Sequence, residues 1–177
     1  MRLNKGDVIE NLELPSTQGD TFNIKDLAGK KAIITFYRFA TCPFCNLRIN
    51  EFSKRHDELG DNFEIIAIFD SPLDFLIKSS KKHNAPFKIL ADENFDYFKK
   101  YDVEQSVWKF LVGSTLGFFR LLKAFAKGYI PMQMKGSMRT VPVDILINED
   151  GTIERAYYAK NTTDHLSFDE VKTFSMG

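Results

Sequence analysis

Apolar residues recur along this chain with two alternating periods, and the switches between them divide it into strands and helices. KAIITFY (31–37) and FEIIAIF (63–69) are short unbroken runs rich in β-branched and aromatic residues, as in strands buried on both faces. After the first run the period becomes helical. Apolar positions fall at Cys45, Ile49, Phe52, His56 and Leu59, a stripe that Gly60 closes. Ser71-Pro72-Leu73-Asp74 predicts a second helix, with Ser71 as N-cap, Pro72 at the first helical position and Asp74 completing a capping box. That helix runs toward His83, and a short strand over 87–90 follows. LELPSTQGDTFNI (12–24) reads as a hairpin turning at Gln18-Gly19-Asp20. VDILIN and IERAYYA form another, turning at Asp150-Gly151. Ser167-Phe168-Asp169-Glu170 is a capping box that opens a terminal helix. The order β-α-β-α-β-β-α predicts an α/β fold: a central mixed sheet flanked by helices.

One segment stands apart from this alternation. Between Glu104 and Asp144 there is no acidic residue, but there are six bases: Lys109, Arg120, Lys123, Lys127, Lys135 and Arg139. Leu111, Thr115, Phe118, Leu122 and Phe125 share one helical face, which predicts an inserted amphipathic helix ending near Gly128. Two readings stand beside each other. The helix packs on the sheet with its lysines in water, or it forms a basic apolar wall for the site, a membrane surface or a second subunit.

Composition adds bounds rather than detail. At 177 residues the chain fits one domain, with 1–30 as an N-terminal hairpin extension and about 105–139 as the insertion. Seventeen phenylalanines suit a well-filled core, and 24 acids balance 24 bases, which draws nothing toward nucleic acid. The opening MRLNKGDVIENLELP has no apolar signal region, and no stretch reaches a membrane span, so the expectation is a protein of the reducing cytoplasm.

The only two cysteines sit three apart in TFYRFATCPFC, between the first buried run and the first helical stripe. Cys42 falls at the helix N-cap and Pro43 at the first helical position. Free backbone N–H groups and the positive end of the helix dipole then point at the Cys42 sulfur, which favours thiolate. Comparable sites bring a cysteine from about 8.5 down to about 3.5–7.5. Cys42 is expected to be accessible and to attack; Cys45, one turn further in and more buried, resolves the mixed disulfide. Two rival readings are a pair of plain buried cysteines and a zinc half-site. Zinc lacks ligands here, because His56, His83 and His165 are scattered in sequence, so no metal is expected.

Pro142 heads the strand VDILIN, where it cannot donate to a ladder. A cis Val141–Pro142 bond would expose the Val141 backbone for an extended substrate, and an edge-of-strand proline is the plainer alternative.

ITFYRFATCPFC after a strand, then TVPVDILI and the NEDGTI hairpin, resemble the thioredoxin superfamily. GDVIENLELPSTQGDTFNIKDLAGKKAIITFY resembles the opening of its alkyl hydroperoxide reductase / thiol-specific antioxidant branch, which is peroxiredoxin-like, and CPFC is similar to the CPYC of glutaredoxins. The resemblance implies a thioredoxin-like fold with nucleophilic Cys42, resolving Cys45 and a cis Pro142 beside them. Two positions depart from the peroxiredoxin pattern: Thr35 and Phe39 stand where Pro and Thr or Ser precede the peroxidatic cysteine. Arg139 and Arg38 are the nearby candidates for its active-site arginine.

The expected activity is therefore a thiol-dependent oxidoreductase and antioxidant that cycles Cys42 and Cys45 between dithiol and disulfide, with no other cofactor. Val141, Pro142 and Arg139 are the expected substrate-binding residues. Electrons come from thioredoxin, glutathione or a similar thiol and pass to a disulfide protein or a hydroperoxide. The alternatives are a peroxiredoxin-type thiol peroxidase and a non-enzymatic redox sensor or membrane-surface module; a homodimer is among the assemblies left open.

Overall fold

A computed structural model describes residues 1–129 and 136–177. The hairpin is β1 (Glu13–Pro15) and β2 (Thr21–Asn23), followed by the central strand β3 (Lys31–Phe36) and helix α1 (Pro43–Lys54). Next come β4 (Phe63–Phe69), α2 (Leu73–Ser80), β5 (Lys88–Ala91) and α3 (Asp96–Lys100). Helices α4 (Val107–Leu116) and α5 (Phe118–Ala126) precede β6 (Val143–Ile147), β7 (Ile153–Tyr158) and α6 (Phe168–Met176). The main sheet runs β5-β4-β3-β6-β7, parallel from β3 through β5 and antiparallel at β6 and β7. This is the expected mixed sheet of a thioredoxin-like fold.

Strand alternation builds two cores from the same residues. In β3, Ala32, Ile34 and Phe36 face the hairpin, α3 and Tyr101. Ile33 and Tyr37 face the opposite side, where Ile49 and Phe52 of α1, Leu76 of α2 and Phe168 of α6 cover the sheet. Truncating Phe52, which has no exposed surface, would cost about 3–5 kcal/mol.

Three local expectations are corrected. The α1 stripe does not continue as α-helix to Leu59: the helix ends at Lys54, and a 3-10 turn at His56–Glu58 brings Leu59 onto the core instead. Ser71 does not cap α2; its hydroxyl accepts the Ala40 N–H at 2.9 Å, and α2 starts without a side-chain cap. Short α3 follows Asp92, whose carboxylate accepts the N–H groups of Asp96, Tyr97 and Phe98.

The third correction concerns the insertion, which is two helices broken at Gly117. A Cβ there would stand 2.8 Å from the Gly113 carbonyl oxygen and 2.9 Å from the Phe44 ring. At Gly113 it would stand 2.4 Å from Thr162 Oγ1. Absence of side chains at these points lets the pair close onto α1 and the loop after β7. The face of Leu111, Phe118, Leu122 and Phe125 does not pack on the sheet. It is exposed, while Gly113, Gly117 and Ala124 face inward. Lys135 lies outside the described residues.

Candidate active site

The end of β3 and the start of α1 place both thiols. Cys42 is the N-cap of α1 with Pro43 at the first helical position, as the sequence predicts, and its sulfur accepts the Cys45 N–H at 3.3 Å. The Cys45 thiol donates to Cys42 Sγ at 2.8 Å, so the two sulfurs face each other. Burial pushes the Cys42 pKa up, but it is outweighed by the Cys45 thiol donor, the Arg38 charge and the N–H groups of Cys45 and Phe44. The result is a pKa lowered to about 6. Cys45 moves the other way, raised by burial and by the Cys42 anion beside it.

Arg38 supplies the positive charge. It is buried, its charge acts on both sulfurs, its Nη1 donates to the Met138 carbonyl at 3.2 Å, and it lies against the Phe39 and Phe44 rings. Burial works against the guanidinium charge, and the two sulfurs more than restore it. Its run, ITFYRFA, carries one charge between a strand and the cysteines, and that was the available signal.

Accessibility differs from expectation. Cys42 has 0 % exposure and Cys45 1 %, because Arg38, Phe39, the half-buried Phe44 and Met138 close around them. Both thiols are free in this state.

Around the pair, two polar networks fix the backbone. Asn46, one turn after Cys42, donates to the carbonyls of Ala40 at 2.9 Å and Cys42 at 2.7 Å. Its own oxygen meets His83 Nε2 at 2.6 Å, so that nitrogen carries the proton. Burial, with Lys82 nearby, holds His83 down to about 4, so it is neutral at physiological pH. Beneath the thiols Asp144, in the middle of the apolar strand β6, accepts Thr35 Oγ1 and the Leu166 N–H, each at 2.8 Å. His165 Nδ1 lies 3.2 Å from both Asp144 oxygens and its ring 5.6 Å from that of Tyr37. Burial raises the Asp144 pKa, yet His165, Arg48 and Thr35 bring it below the usual carboxylate value. A lone acid within VDILI was the sequence signal for this network.

The expected substrate-binding residues do not gather at the thiols in the expected way. The Val141–Pro142 bond is trans, and Val141 is buried with its N–H already donated to the Glu104 carbonyl at 2.8 Å. That N–H cannot pair with an extended substrate, since the segment closes against the start of the insertion. Arg139 is exposed, and its backbone carbonyl accepts from Ser106. Arg38, not Arg139, is the arginine at the sulfurs. Beside the site, α1 and α5 border a cleft of about 650 Å³ lined by Phe44, Arg48, Arg120, Lys123 and His165. Among the described residues no group of three or more His, Cys, Asp or Glu is arranged to hold a metal, and no helix is long and apolar enough to cross a membrane.

Comparison with known proteins gives the family and the fold. The AhpC/TSA family model matches residues 5–156. Peroxiredoxin Bcp of Bacillus subtilis (strain 168) is 24% identical over 168 residues, spanning 94% of this chain and 92% of its own. Peroxiredoxin Bcp of Escherichia coli (strain K12) is 23% identical over 164 residues, spanning 92% and 90%. The crystal structure of peroxidoxin BcpB from Mycobacterium tuberculosis superposes with a TM-score of 0.71 at 13% identity, covering 99% of this chain and 97% of that one, which shows a shared fold.

Proposed function

Because the chain belongs to the AhpC/TSA family, we propose that Cys42 is the nucleophile and Cys45 the resolving thiol of a dithiol that reduces hydroperoxides. The protein is a thiol-dependent oxidoreductase of the peroxiredoxin-like branch with an antioxidant role. Family membership does not favour a purely non-enzymatic module.

The observation that carries the residue assignment is the 2.8 Å sulfur–sulfur contact beside the buried Arg38 charge, which lowers the Cys42 pKa. The Cys42 thiolate attacks the outer peroxide oxygen; the O–O bond breaks, the sulfur is oxidised to sulfenic acid and the alkoxide takes a proton to leave as alcohol. Cys45 then attacks that sulfur, forms the disulfide and releases water. A thioredoxin-type or glutathione-type thiol returns two electrons and two protons, as suits a cycle in the reducing cytoplasm. This chemistry calls for no prosthetic group. Disulfide proteins are the second substrate class, favoured by the CPFC spacing that brings a resolving thiol within one turn.

The test is hydroperoxide consumption with a dithiol reductant. Cys42→Ser abolishes turnover, and Cys45→Ser accumulates a sulfenic acid that a dimedone probe labels. Full turnover in Cys42→Ser would refute the assignment.

A further inference from the structure

Helices α4 and α5 turn their small residues inward and their large ones outward. Trp108 is 74 % exposed, Phe118 54 %, Phe119 82 % and Phe125 41 %, with Leu111 and Leu122 half exposed beside them. At about 200 Å² per aromatic side chain, the four rings alone leave about 500 Å² of apolar surface in water. That total compares with the upper end of the largest apolar patch on a soluble monomer, which marks the exposed side of α4 and α5 as an interaction surface. Seating of the helices does not depend on this face, because Gly113, Gly117 and Ala124 make the inward contacts.

On α5 the exposed Phe118, Phe119, Leu122 and Phe125 span an arc of roughly 120° at about 100° per residue, and Lys123, Lys127 and Arg120 follow within roughly 60° on the flank toward α1, where they line the cleft beside the site. Arg120 donates to the Thr163 carbonyl and Lys127 to Asn50, and none of the three has a carboxylate partner among the described residues. Lys109 on α4 pairs with Glu104, the last acid before Asp144. We propose that α4–α5 is a docking element for the surface of an anionic lipid bilayer. Aromatic and aliphatic side chains enter the headgroup boundary while the bordering cations lie along lipid phosphates, as in interfacial helices. A second copy of this chain fits less well, because a two-fold contact would set Arg120, Lys123 and Lys127 against the same charges in the partner.

Trp108 is the single tryptophan, so its fluorescence reports directly on this face. The intact protein is titrated at low salt with vesicles of phosphatidylcholine alone and of phosphatidylcholine with an equal part of phosphatidylglycerol. Expected are a blue shift of Trp108 emission, quenching by brominated acyl chains and co-sedimentation, all with the anionic vesicles and all weakened by salt. Lys123→Gln with Lys127→Gln weakens binding roughly 25-fold, about fivefold per charge. Phe119→Ser with Leu122→Ser abolishes the quenching without changing thiol turnover on a soluble hydroperoxide. Cys42→Ser binds as tightly as the parent, which separates this surface from the redox assignment. Unchanged emission and no sedimentation with anionic vesicles overturn the proposal. So does a concentration-dependent dimer that shields Trp108 without lipid, which would assign the face to a second copy.

Discussion

Replacing Arg38 by methionine removes the one cation at the sulfurs among the described residues while keeping a long side chain among Phe39 and Phe44. An opposite charge at this range is worth one to three pKa units; with a loss of one to two, Cys42 moves from about 6 to about 7–8. At pH 6 the thiolate fraction then falls from about one half to between about 9% and 1%; the more basic thiolate is about three- to eightfold more nucleophilic, so peroxide reduction slows about two- to sixfold. At pH 9 both proteins are thiolate, and the more basic sulfur is the better nucleophile, so the variant becomes about three- to eightfold faster. Ultraviolet thiolate absorbance gives the pKa without needing access to the sulfur, and stopped-flow peroxide reduction across the same pH range gives the rates. Arg38→Lys restores charge and should restore most of the shift. A rate deficit that is the same at every pH, or a thiolate midpoint that stays near 6 in Arg38→Met, would refute the electrostatic account.

Other outcomes follow from the same geometry. The reduced protein should gain stability toward urea between pH 6 and 8 by up to about 1.4 kcal/mol per unit, a slope the disulfide form lacks. The sign follows from a folded Cys42 pKa of about 6 below the unfolded value of about 8.5. The contribution is lost as pH falls through the folded pKa, and Cys45, with its raised pKa, opposes it only above the unfolded value. Asp144→Ala should cost about 3 kcal/mol in urea denaturation, since it strands Thr35 Oγ1, the Leu166 N–H and His165 in the interior. The parent's Asp144 contribution should hold above the ordinary carboxylate range and fade in acid, because its folded pKa is lowered. Gly117→Ala should push Phe44 and α5 apart and speed alkylation of Cys42 under native conditions; an unchanged rate would show that this close approach does not keep the thiols covered.

What could be read from the sequence was whatever the chain settles locally. Buried strands announce themselves by β-branched runs, and Ser167 by the Glu170 three residues on, which closes the capping box as expected. The position of Cys42 at the start of α1 was legible because Pro43 fits only there. The polar networks were not, because Thr35 meets Asp144 across 109 residues of chain and Asp144 meets His165 across 21. Ser71 shows the same limit, since its hydroxyl is claimed by Ala40 from another element. For the insertion, the period identified which residues share a side of the helix; whether that side faces the sheet depends on how closely glycines let the backbone approach.

A sulfur with no surface in water reacts only in those molecules that have momentarily opened around it. Turnover at Cys42 is then the product of an intrinsic rate and an opening equilibrium, and each 1.4 kcal/mol of opening slows it about tenfold. Small hydroperoxides demand a narrow breach and folded disulfide proteins a wide one, so with Cys42 as the proposed nucleophile the packing at Phe39 and Phe44 should rank oxidants by size before any chemistry begins.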